Sequence, residues 1–169
     1  MLHDTFGLSF DDIAPILNRS PIAAHQLASR ARRRIQGAAT EVDSDRERQR
    51  EVVSAFLAAA RDGDFAGLLA VLDPDAVLHA DSAAVEASIA RAGVPALTSE
   101  ILGSAAVAYT FRGRAQAARP ALIDGEPGLV FAPAGKVQVV FDFVTDHGRV
   151  VEISLIADPA HIATLRVEV

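Results

Sequence analysis

Cysteine and tryptophan are absent from the chain, and methionine and tyrosine occur once each. Without thiols there can be no disulfide, no thiolate nucleophile and no cysteine metal site. That absence fits a cytoplasmic protein, the compartment expected here. The five histidines show no pair at the helical spacing of a zinc motif such as HExxH, so no metal and no other cofactor is expected. No apolar run approaches the roughly 18 residues of a membrane span. Met1 opens no signal-peptide pattern either, so no membrane partner is expected. What remains is 169 residues, 50% hydrophobic but mostly alanine, valine and leucine, enough for one ordinary domain or for a small module joined to a medium one.

Charge is distributed unevenly. Residues 1 to 40 hold five arginines (19, 30, 32, 33, 34) against Asp4, Asp11 and Asp12, a balance of +2, while the whole chain is −6, so the remainder is −8. The basic potential is therefore local. An acidic body tethered to a basic helix would weaken non-specific attraction to nucleic acid.

The most informative stretch is Ser9 to Ile35, SFDDIAPILNRSPIAAHQLASRARRRI. Ser9 can cap a first helix, with Phe10, Ile13, Ala14 and Leu17 on one face, although Pro15 removes its bond to the carbonyl of Asp11. A break follows at Asn18-Arg19-Ser20. Ser20 then caps a second helix with Pro21 at its first position, and Leu27, Ala28, Ala31 and Ile35 can pack inward. The free face carries His25, Gln26, Ser29, Arg30, Arg32, Arg33 and Arg34, groups suited to base edges and phosphates in a major groove. An ordinary helical hairpin with a solvated arginine face would have the same spacing.

LHDTFGLSFDDIAPILNRSPIAAHQLASRARRRI resembles the promoter-reading C-terminal region of bacterial sigma factors of the extracytoplasmic-function group, in the branch that carries a SnoaL-like domain behind it. That resemblance implies binding to the −35 promoter element and to RNA polymerase core. It places Arg19, His25, Gln26, Ser29 and Arg30 toward DNA and Arg32, Arg33 and Arg34 toward phosphates. It also implies a further part of this module, and a separate domain that melts the −10 element, ahead of Leu2, so the chain resembles a family member truncated at its N-terminus.

Residues 37–45 are small, polar and turn-prone, and are expected to link residues 1–36 to a second domain at 46–169. That domain should begin with a helix from Arg46 to Asp62, stopped by Gly63, and a short helix capped by Asp64. A strand at Ala76–Ala80, a helical stretch at Ala83–Ala92 and a helix at Leu102–Ala117 follow. Strands are expected at Arg119–Ile123, Leu129–Phe131, Val137–Thr145 and Arg149–Ala157, with turns at Asp124-Gly125, Ala134-Gly135 and Asp146-His147-Gly148. Val137, Val139, Phe141 and Phe143 should share one face, as should Val151, Ile153 and Leu155. The fold class is α+β: a helix-turn-helix fragment followed by a cone with a curved antiparallel sheet.

REVVSAFLAAARDGDFAGLLAVLDPDAVLHAD, with RPALIDGEPGLVF and VVEISLIADPAHIATL, resembles the SnoaL-like members of the nuclear transport factor 2-like fold over residues 46 to 166. Relatives of that kind enclose a pocket, which here would be lined by the candidates His79, Asp81, Tyr109, Asp142 and Asp158. His79 and Asp81, two apart on a strand, could form an acid/base pair. Polar residues at strand ends more often serve turns and water, so no catalytic residue is assigned and the chain is read as a non-enzyme. The sigma branch also has a glycine-rich motif ending in lysine after the aspartate matching Asp81. Here Ser82-Ala83-Ala84-Val85 stands instead, so that regulatory contact does not transfer.

These readings converge on a sigma-factor-like regulator of transcription initiation whose SnoaL-like domain modulates it. The alternative is a small-molecule-binding or polyketide-cyclase-like enzyme with vestigial DNA-binding helices, which would take an unidentified small ligand. A homodimer through the SnoaL-like domain is a third expectation, since this fold often pairs through its sheet.

Overall fold

The computed structural model describes residues 39–89 and 96–169. The chain divides into two compact units, Met1–Glu47 and Arg48–Val169, and the whole sheet belongs to the second. The helix-turn-helix segment read from Ser9 to Ile35 lies outside the described residues.

Helix α1 (Ala39–Asp62) runs through that division. It opens at Ala39 rather than at the expected Arg46. No glycine or proline interrupts residues 39–62. It stops where expected. Gly63 takes a φ of +69°, and the Asp64 amide turns back to the Ala59 carbonyl at 2.9 Å. The Asp64 carboxylate then accepts from the Gly67 amide at 2.9 Å and starts α2 (Phe65–Val71).

Strand β1 (Leu72–Ala80) begins earlier than expected and shifts register between Leu72 and Val77. Pro74 explains the irregularity, since it lacks a ladder donor, and the Asp75 amide turns to the Asp73 carboxylate at 3.0 Å instead. Next come α3 (Ser82–Ile89), the short β2 (Glu100–Leu102) and α4 (Ser104–Phe111). The helix expected from Leu102 to Ala117 is thus shorter at both ends. Gly103, at φ +87°, separates it from β2, and β2 is held by pairing with β1 through His79 and Glu100.

The last third matches its reading closely. Strands β3 (Ala118–Ile123), β4 (Glu126–Phe131), β5 (Val139–Asp146) and β6 (Arg149–Ile156) form an antiparallel meander. Two-residue turns at Asp124-Gly125 and His147-Gly148 have positive φ at both residues, the hand that fits the twist of a hairpin. A short helix α5 (Pro159–Ile162) and strand β7 (Val167–Glu168) end the described chain. The curved sheet has the order β2-β1-β6-β5-β4-β3-β7, antiparallel except where β1 lies parallel to β6.

Alternation places two clusters on opposite faces. Leu129, Phe141 and Leu155 are cross-strand neighbours in the larger one, with Phe56, Leu57, Leu68, Val107 and Phe111 from the helices. Phe56 is fully buried at its centre, edge-on to Phe111 at 5.0 Å and to Phe143 at 5.3 Å between ring centroids. The next row, Val130, Val140 and Ile156, points the other way and packs with Ile162 and Leu165. Among the described residues, the helices α1, α2 and α4 pack on the first of these faces, and only the short α5, through Ile162, reaches the second. Along β6 the expected partner Val151 is only half-buried. A register shift opposite Val144 and Thr145 brings Val150 into the larger cluster with Ile153 and Leu155.

Two side chains of α1 bond to strand carbonyls of this sheet: Arg61 donates to Ala118, and Gln49 bridges β4 and β5. The β4–β5 ladder ends at Leu129 and Phe141, although its register would next bring Pro127 opposite Phe143. Pro127 has no N–H to continue it. The buried amide of Gln49 takes over, donating to the Pro127 and Phe143 carbonyls at 3.2 Å each. Gln49→Leu would leave both oxygens buried without a donor and should lower stability by about 2–3 kcal/mol, read from urea unfolding of the full chain. An unchanged midpoint would mean that water replaces the amide without loss.

Candidate functional site

The eight residues read as DNA-facing, Arg19, His25, Gln26, Ser29, Arg30, Arg32, Arg33 and Arg34, all lie outside the described residues. The five pocket candidates all lie within them.

Asp81 sits just past the end of β1. Its side chain is consumed by main chain: one oxygen accepts from the Ala84 amide at 2.7 Å and starts α3. The other accepts from the Ala157 and Asp158 amides at 2.7 and 2.8 Å, just beyond β6. Three N–H groups on one carboxylate tie β1, α3 and the exit of β6 together. Asp158 is itself a cap, accepting from the Ala160 amide at 2.7 Å with Pro159 at the first position of α5. Tyr109 stands on the outer side of α4, 63% exposed.

His79 does not pair with Asp81. The strand ends at Ala80, so the two-residue rule that would align them no longer operates. The imidazole Nδ1 lies 3.7 Å from the carboxylate of Glu100, its cross-strand partner, with the His79 side chain 18% exposed. That contact becomes an ion pair when the imidazole is protonated.

On its other side His79 is level with Ser154, and Ser154 is level with Asp142. Alternation sets this row on the sheet face opposite Leu78, Ile153 and Phe143. Glu152, fully buried, lies two residues from Ser154 on the same face, and the Ser154 hydroxyl donates to it at 3.5 Å. The structure thus brings His79 and Asp142 into one row and leaves Asp81, Tyr109 and Asp158 elsewhere. Glu100, Glu152 and Ser154 were missed in the sequence. Glu152 and Ser154 sit at the polar phase of an alternating strand, which reads as a solvated face.

Between the helices and the sheet, where a cone would hold a ligand, Phe56, Phe111, Phe141 and Phe143 pack against one another. A groove of about 480 Å³ opens elsewhere, on the flank of α1 against the β3–β4 hairpin. Arg50, Val53 and Ser54 line it on the helix side, and Pro120, Leu122 and Pro127 on the sheet side. Among the described residues no three histidine, aspartate or glutamate side chains are grouped to hold a metal ion. No helix among them is long and apolar enough to cross a membrane.

No protein-family model matches the chain. Among curated proteins it is similar to a Mycobacterium tuberculosis protein described as Probable ECF RNA polymerase sigma factor SigI, 27% identical over 169 residues, covering 99% of this chain and 55% of that one. It is also similar to ECF RNA polymerase sigma factor SigJ of Mycobacterium tuberculosis, 36% identical over 83 residues, 48% of this chain and 27% of that one. The crystal structure of the extracytoplasmic-function sigma factor SigJ from that organism superposes with a TM-score of 0.51 at 26% identity, covering 94% of this chain and 56% of that chain. The chain spans about half the length of SigI.

Proposed function

We propose, on the premise that the chain's homologues are extracytoplasmic-function sigma factors, that it is the promoter-reading and regulatory part of a sigma-factor-like initiation regulator. In this reading Arg19, His25, Gln26, Ser29 and Arg30 face the −35 element, Arg32 to Arg34 grip phosphates, and RNA polymerase core is the protein partner. The SnoaL-like unit modulates that binding. The observation that carries the reading is the span of the SigI match. It runs along 99% of the chain, through both the basic N-terminal stretch and the acidic body, rather than over the SnoaL-like unit alone.

Duplex DNA carries a condensed counterion layer, so each phosphate contact contributes a fixed increment to the salt dependence of binding. Replacing Arg30, Arg32, Arg33 and Arg34 together by alanine should weaken promoter binding at least about tenfold. The salt slope should flatten by about 0.9 for each phosphate no longer neutralised. Affinity and slope both equal to those of the unaltered chain would sink the assignment. The enzyme reading draws less support. Asp81 is engaged by three backbone amides, Tyr109 faces outward and the cone interior is packed with rings.

A further inference from the structure

The groove beside α1 has the makings of a ligand site that owes nothing to DNA binding. Arg50 and Ser54, one helical turn apart, stand on one flank of α1. Val53, between them in sequence, turns toward the core and is buried. Opposite, Pro120 and Leu122 project from the same face of β3, and Leu122 is level with Pro127 of β4. The walls are stiff. Two of these residues are prolines with fixed φ, and Gln49 pins the helix to the Pro127 carbonyl at the groove's edge.

The floor is backbone of the β3–β4 ladder, where Gly128, another lining residue, is level with Ala121. A site already formed loses little freedom when it is filled, so modest contacts suffice for measurable binding.

Charge selects the occupant. Arg50 is exposed, and its guanidinium is claimed by no carboxylate of the described residues. Glu168, on the groove's other rim, is held by Arg166, whose Nε and Nη2 both reach the same carboxylate oxygen at 2.8 Å. It therefore does not compete for Arg50, yet its negative charge disfavours a second anionic group on the ligand. A guanidinium fork beside a hydroxyl, above an apolar trough, suits one carboxylate on an apolar body.

We infer that this groove binds small apolar monocarboxylates, the carboxylate meeting Arg50 and Ser54 and the body lying over Val53, Leu122 and the two prolines.

The test uses the full chain and 2-naphthoate, whose emission is read without background from tryptophan because the chain has none. Saturable binding with a Kd of about 100 μM is expected, in the range open to a ligand of this size. Neutral 2-naphthylmethanol should bind about tenfold more weakly, Arg50→Gln should lose about the same factor, and Ser54→Ala less. Arg50 is exposed, so its variant should melt like the parent. Leu122→Asp should abolish binding by placing a carboxylate against the ligand's body. If that variant unfolds, the comparison at Arg50 decides alone.

Equal affinity of Arg50→Gln and the parent, equal affinity for the alcohol, or no saturation would each overturn the inference. So would an apparent Kd that rises with protein concentration, since a second copy of the chain would then be the occupant.

Discussion

Phe56→Ala should lower the stability of the full chain by about 4 kcal/mol, from the range of about 3–5 kcal/mol for phenylalanine truncations in packed cores. The ring is fully buried and meets Phe111 and Phe143 edge-on, so its removal forfeits transfer energy and two aromatic pairings and leaves a void. The neighbours cannot close on it easily. Phe143 is fixed by the β5 ladder, and Phe111 ends α4, where the Arg112 amide still bonds to Ala108. Urea unfolding followed by far-ultraviolet circular dichroism measures the change. A loss under about 1 kcal/mol would mean that the cone interior collapses freely and is not a rigid, filled core.

Asp81→Ala should come second, at about 3 kcal/mol. The substitution strands the amides of Ala84, Ala157 and Asp158, and hydrogen bonds to a charged acceptor are worth about 1.5–3 kcal/mol each before their non-additivity is allowed for. Asp81→Asn keeps one carbonyl oxygen and should retain about half of that stability. Hydrogen exchange offers the specific readout. In Asp81→Ala those three amides should exchange faster than their neighbours within β1 and β6. Unchanged protection at all three would show that water or another acceptor takes the carboxylate's place. In the sigma branch that the sequence resembles, the matching aspartate precedes a glycine-rich motif; here it fastens strand to strand.

What could be read from the sequence was local. Gly63 as a helix stop, Asp64 as a cap and the Asp124-Gly125 and His147-Gly148 turns each depend on residues within a few positions of one another, and each stands where it was expected. The candidate site depended on distant partners. His79 was matched with Asp81 because alternation along one strand is visible in sequence, whereas its contact with Glu100 arises only once β2 pairs with β1. The Gln49 amide bridges to carbonyls 78 and 94 residues away, and no periodicity announces that. The register shift in β6 moved Val150 inward and Val151 outward by the same kind of long-range cause, the mismatch with β5. The over-long helix at Leu102–Ala117 is a local error, since Gly103 and Gly113, both at positive φ, bracket α4 within that stretch.

The parallel pairing of β1 with β6 governs the order in which the protein can be completed as it leaves the ribosome. His79 has no neighbour on that side until residue 154 has been made, and the strands between them must first fold back as a meander. Chain synthesis is slow beside hairpin formation, so the edge of β1 that faces β6 stays bonded to water while its successors assemble. The seam between the first strand and the last long one closes at the end, and the carboxylate of Asp81, reaching Ala157 and Asp158, is the latch that can engage only then.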